Sequence, residues 1–284
     1  MDNRQVGQLC LIGVVLLAGC NSSLFGPNYT PKTTTNSAPT GQLAPGLSAR
    51  GLTDVSALVD THSQMLQEDS YTMKGHSSER YGNGTMKQSF RGEVQWGPNG
   101  TRYYYRVQFP LQPTGFANFS LSQRKMYANQ DKFYVANIGK DKTTYNILNR
   151  SRAPVPQGFT ELSSLRSILH AFNKTDGFSI HKLSSASGPP RYRFHLTKLE
   201  SSTPFTNYYD LDTVRNASFT GVVDGWGVIH RWHVTYTGQA GNYTITGNRT
   251  TRFTAIGKTN VSQPDWIHNA TNNQTTIGEQ HSKA

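Results

Sequence analysis

The chain has 284 residues, 35% of them apolar, and a formal charge of +11 from 28 Lys and Arg against 17 Asp and Glu. That length supports one domain with a substantial core. The cations are scattered singly, with no basic run and no recognition-helix signature, so nucleic acid is set aside as a partner and a basic surface beside an anionic membrane is the expectation.

The first element is the apolar run Leu9 to Cys20. About a dozen residues cannot cross a bilayer, which takes roughly twenty, and the run fits the h-region of a secretory signal. It ends in Leu17-Ala18-Gly19-Cys20, which resembles the lipobox of prokaryotic lipoproteins. The resemblance implies a signal peptide over residues 1–19 and a lipidated Cys20 that anchors the chain to the outer face of the cytoplasmic membrane. Arg4 is the single cation of the n-region, and the absence of a twin-Arg pair points to Sec export.

Residues 20–50 are rich in Ser, Thr, Pro, Gly and Asn and read as a disordered tether. A helix follows, capped by Thr53 or Asp54, with Val55, Leu58, Val59, His62, Met65 and Leu66 at helical spacing. His62 on this stripe reads as a packed core-edge residue. From Tyr71 the period becomes two. Strands are expected through Tyr71 and Met73, from Met86 to Val94, and from Tyr103 to Phe109 after the turn Pro98-Asn99-Gly100. Shorter ones follow at Lys125–Ala128, Lys132–Asn137 and Thr143–Leu148. A second helix carries Leu162, Leu165, Ile168, Leu169 and Phe172. Strands then return at Tyr192–Leu196, Ala217–Val223, Val228–Tyr236 and about Asn242–Ala255, with Asp224-Gly225 as a hairpin signal. Along the third of these, His230 is placed on one face with Trp232, Val234 and Tyr236. Gly75, Gly92 and Gly221 inside strand patterns read as bulges that let the sheet curl, or as room for a ligand to approach the backbone. Residues 51–268 form the domain, and 269–284 read as a disordered tail.

Asn-x-Ser/Thr sequons are the other compositional signal: thirteen of about twenty Asn lie in one, which argues for an N-glycosylated surface protein. Asn83, Asn99, Asn118, Asn149, Asn173, Asn216, Asn242, Asn248 and Asn260 are the candidates within the domain. A lipobox with dense sequons points to archaea.

Catalytic and metal motifs are missing: there is no P-loop, no Gly-x-Ser-x-Gly and no His-Glu-x-x-His. His230 and His233 are three apart on a strand and point to opposite faces, so they do not chelate one ion. Asp210, Asp212 and Asp224 read as turn residues. The expectation is a protein that is not an enzyme and carries no cofactor and no metal.

The order of helices and alternating strands is similar to the LolA/LppX-like family of lipoprotein carriers and lipid-binding lipoproteins. Leu17-Ala18-Gly19-Cys20, Glu68-Asp69-Ser70-Tyr71-Thr72, Asp224-Gly225 through Tyr236, Phe253-Thr254-Ala255-Ile256-Gly257 and Val261 to Pro264-Asp265-Trp266 resemble a group of haloarchaeal surface lipoproteins of unknown function. The chain departs from that group in its basic balance. The resemblance implies an α+β fold, a curved antiparallel sheet forming an open half-barrel around two or more helices. A lipid or other hydrophobic ligand would then lie in its cavity. Phe90, Val94, Tyr103, Tyr105, Val107, Phe194, Leu196, Trp232, Val234 and Tyr236 are the candidate lining. The alternative is a structural or protein-interaction component of the envelope with a closed core. An exposed apolar rim separates the first from the second.

Overall fold

The computed structural model describes residues 41–111, 121–152, 158–184 and 188–272. From Leu43 onward the chain forms one compact unit. Three short strands come first: β1 (Gln42–Ala44), β2 (Leu47–Ser48) and β3 (Gly51–Leu52). The ordered chain thus begins before residue 51, because Ala44 and Leu47 are buried in the main core. Two apolar side chains were enough to draw in a stretch whose composition reads as linker. Gly46 makes this possible: its φ is +70°, and a Cβ there would lie 1.9 Å from the Asp54 carbonyl oxygen.

Helix α1 (Val55–Glu68) follows, capped by Asp54, whose Oδ1 accepts from the Ala57 N–H at 2.9 Å. Val55, Leu58, Val59, His62 and Leu66 form its buried stripe. The long strands then run β4 (Tyr71–Tyr81), β5 (Met86–Trp96), β6 (Tyr103–Leu111), β7 (Leu121–Ala128), β8 (Lys132–Gly139) and β9 (Thr143–Asn149). Helix α2 (Gly158–His170) leads into β10 (Phe178–Leu183) and β11 (Arg191–Leu196). A short helix α3 (Thr203–Tyr209) precedes β12 (Thr213–Asp224), β13 (Ile229–Ala240) and β14 (Tyr243–Thr254), and α4 (Trp266–Asn272) closes the described chain.

Eleven strands form one sheet in the order β10-β11-β12-β13-β14-β4-β5-β6-β7-β8-β9. Every neighbouring pair is antiparallel. The sheet is therefore two meanders, β4–β9 and β10–β14, joined where β14 pairs with β4. Its edge strands, β9 and β10, do not meet, so the fold is the open α+β half-barrel that the resemblance implies.

Alternation gives the sheet an inner and an outer face. On the inner face α1, α2 and α3 contribute Leu58, Leu165, Ile168, Leu169 and Phe205 to one core with Phe194, Phe219, Trp232 and Phe253. Helix α4 lies on the other side, where Ile267 and Trp266 pack with Val261 against Tyr104, Tyr127 and Tyr134. The ordered chain thus continues past 268, with Ala270 buried, and the stretch read as tail is helical as far as Asn272.

The β13 register differs from simple alternation. Val222 pairs with Arg231 but Val223 pairs with Ile229, leaving His230 as the extra residue of a bulge. Ile229 is consequently buried alongside Trp232, and His230 leaves the face that alternation gave it. The glycines expected at bulges sit in regular register instead: Gly75 faces Gly92 and Gly221 faces Phe194.

Candidate functional site

Two glycines on the C-terminal half of the inner face are filled by aromatic rings. A Cβ at Gly221 would lie 2.4 Å from the Phe194 ring, and one at Gly247 would lie 2.1 Å from the Tyr236 ring. Each ring lies over the glycine paired with it in register, an arrangement that closes the sheet's hydrogen-bonded surface from above. Tyr236 packs against Tyr209 with centroids 4.2 Å apart and planes tilted by 31°, and Phe219 stacks on Trp232 at 6.2 Å.

Gly75 and Gly92 differ. They face each other at the middle of the inner face, and a Cβ on either would meet only strand backbone, at 4.0 and 3.9 Å. No side chain covers them within that range. Their row runs from Thr251 through Gly75, Gly92 and Val107 to Arg124 and Asn137. Around it Phe90, Phe109, Met126 and Val135 are only partly buried although they pack on the core. Leu148, at the far edge of the same face, is 38% exposed. Arg124 Nε donates to Asn137 Oδ1 at 2.7 Å, which places one fixed cation beside the partly buried apolar side chains.

A polar cluster closes one end of the face. The carboxylate of Glu79 is buried; it accepts from the Tyr236 hydroxyl at 2.7 Å and from Lys87 Nζ at 2.9 Å. Lys87 is the extra residue of a bulge, since Glu79 pairs with Gln88 and Arg80 with Met86, and the bulge aims its ammonium at Glu79. Burial, followed by the charge of Glu79, raises the Tyr236 hydroxyl far above the usual phenol range. The Arg249 guanidinium lies 5.4 Å from the Trp232 ring centroid, a cation–π contact inside the half-barrel.

At the opposite end, the Asp224 carboxylate accepts from the Trp226 and Val228 N–H groups at 3.0 Å each and from His230 Nε2 at 2.8 Å. Burial alone would raise its pKa, but the donors, His230 foremost, hold it below the ordinary value. Asp224 is therefore the turn residue that the sequence pattern indicates. Beneath the turn His62 is fully buried; its Nδ1 accepts from the Ile229 N–H at 3.2 Å and its ring meets Phe253 at 81°. Among the described residues no group of three or more His, Cys, Asp or Glu gathers as a metal site, and no helix is long and apolar enough to cross a membrane.

The ten candidate lining residues divide unevenly. Tyr103, Phe194, Leu196, Trp232 and Val234 have no accessible surface; Val94, Tyr105, Val107 and Tyr236 are buried. These nine belong to the buried core. Phe90 alone is partly open. Phe109, Met126 and Val135 share its situation and were missed, because alternation marks an inner face without marking which part the helices cover. Of the sequons, Asn83, Asn99, Asn149, Asn216, Asn242 and Asn260 are exposed. Asn173 and Asn248 are half-buried, and their Nδ2 atoms, which would carry the sugar, donate to Glu200 and Ser78. Cys20 and Asn118 lie outside the described residues.

Among solved structures, the chain is similar to LprF from Mycobacterium bovis, with a TM-score of 0.40, 9% identity, and coverage of 74% of this chain and 96% of that one. It is also similar to a DUF1329 family protein from Desulfovibrio piger ATCC 29098, with a TM-score of 0.26, 12% identity, and coverage of 78% and 99%. No curated protein matches it. A family model, described as a family of unknown function, matches residues 5–270, and the chain belongs to that family, DUF7537.

Proposed function

We propose that this protein is an extracytoplasmic binding module, held at the membrane through Cys20, that takes an apolar ligand onto the inner face of β4–β9. The observation that carries the reading is the uncovered floor at Gly75 and Gly92, bordered by the partly exposed Phe90, Phe109, Met126 and Val135. Ligand sites are mostly apolar with a few placed polar groups, and Arg124 with Asn137 supplies such a group. The ligand is then apolar over most of its length, with a head that accepts hydrogen bonds from Arg124. Binding, not catalysis, is the task, and lipidation of Cys20 follows from the residues that precede it.

The test is mass spectrometry of the full chain from a prokaryotic host, under native and then denaturing conditions, before and after incubation with a fluorescent fatty acid. A discrete mass that leaves on denaturation, or saturable uptake, supports the reading, and Gly92→Phe should abolish both by filling the floor. Protein that is ligand-free and takes up nothing would overturn it in favour of a structural envelope role, the reading that the closed C-terminal half of the core supports.

A further inference from the structure

The outer face carries an ordered array of charge. One register row crosses eight strands, from Arg193 through Val222, Arg231, Arg252, Lys74, Glu93 and Arg106 to Lys125. Six of its eight positions are cationic. Its one acid, Glu93, accepts from Arg106 at 3.1 Å and lies 4.0 Å from Lys74. Arg193, Arg231, Arg252 and Lys74 are exposed. Adjacent strands lie about 4.8 Å apart, so the row is about 34 Å long.

Like charges directly opposite each other on paired strands are destabilising, and Arg231 faces Arg252, which faces Lys74. The fold gains nothing from that arrangement. Its place in the sheet is also specific. Arg231 lies two residues beyond Ile229, at the end of β13 that holds the Asp224 turn. Trp226 projects from that turn, 63% exposed. The chain enters the domain there too, since the Leu43 carbonyl oxygen would lie 3.7 Å from a Cβ on Gly225. Residues 21–42, between Cys20 and this entry, span at most about 75 Å even fully extended.

We propose that this outer face lies against an anionic lipid surface, the membrane to which the chain is anchored, with the row from Arg193 to Lys125 over the headgroups and Trp226 at the rim. The inference rests on the anchored reading above. Polybasic surfaces near a membrane gain roughly fivefold in partitioning per cation, and indole rings favour the headgroup layer.

The test uses the full chain in vesicles of phosphatidylcholine alone or of phosphatidylcholine and phosphatidylglycerol at three to one. Lysines are acylated with a membrane-impermeant reagent and read by mass spectrometry. Lys182, which pairs with the inward-facing Tyr192 on the edge strand, is the internal reference. Lys74 and Lys125 should label at least about fivefold more slowly relative to Lys182 on the anionic vesicles only. Arg231→Glu with Arg252→Glu should restore their labelling relative to Lys182. Equal labelling on both compositions, or protection that survives the double substitution, overturns the proposal and leaves anchoring intact. A chain that fails to float with neutral vesicles but is protected on anionic ones overturns the anchor and supports docking by charge. Protection by soluble polyphosphate and by neither vesicle overturns the membrane as occupant.

Discussion

The imidazole of His62 has no accessible surface, and burial, reinforced by the charge of His230 and opposed by Asp224, holds its pKa down at about 3. An unfolded chain protonates this group near pH 6.5, whereas the folded chain resists until about 3. Stability from neutral His62 is therefore complete above about 6.5 and is lost as pH falls through that window, at about 1.4 kcal/mol per unit. Between about pH 7 and about pH 4.5 urea denaturation should record a loss near 3 kcal/mol from this residue. His62→Leu should remove that slope while costing about 1–3 kcal/mol at neutral pH, because the buried Ile229 N–H loses its acceptor. A slope unchanged by the substitution would assign the acid sensitivity elsewhere. The glycines give a second contrast. Gly75→Ala places its methyl over open floor and should leave the melting temperature unchanged or raised, by up to about 1 kcal/mol in stability. Gly247→Ala drives a methyl into the Tyr236 ring and should cost about 3 kcal/mol.

Helix α4 shows an element whose role is set by what it covers. Tyr104, Tyr127 and Tyr134 form an aromatic row on the outer face, and without the helix that row would be an exposed apolar patch. Ile267→Asp buries a carboxylate against three rings and should lower stability by about 2–4 kcal/mol in urea denaturation, with a rise in binding of a hydrophobic dye. An unchanged midpoint would mean that the helix is dispensable. This element was not legible in the sequence. Trp266-Ile267 is followed by polar residues, and seven residues are too few to show a helical period. The same shortness hid α3 and β1–β3. The long elements were legible: α1, α2 and ten of the eleven sheet strands follow from spacing alone, while β10, with its mixed exposure pattern, does not. Which glycine faces which was not, since the Gly75–Gly92 pairing depends on register. For that reason the candidate site was recognisable as an inner face but not as a place on it.

At the scale of the molecule, nearly all the sheet is built from neighbours in sequence, and one joint is not. Within each meander the paired strands are consecutive along the chain, the longest connection being the one through α3 from Leu196 to Thr213, but β14 meets β4 across most of the domain, with Thr254 opposite Thr72 and Phe253 opposite Met73. Closing so long a loop carries a large entropy cost before its contacts repay it. The meanders should therefore form first and the joint last, so that contacts across it are absent from the folding transition state. Phe253 is the place to test this. It is buried, it meets the edge of His62 beneath α1, and Phe253→Leu should cost about 1 kcal/mol. If the joint closes late, that loss appears almost wholly in unfolding, about fivefold faster, with the folding rate in stopped-flow experiments unchanged. A fivefold slower folding rate with unaltered unfolding would make the joint the nucleus. The half-barrel would then grow outward from β14 and β4 toward its two open edges, and the Gly75–Gly92 floor would be among the first parts of the inner face to take shape.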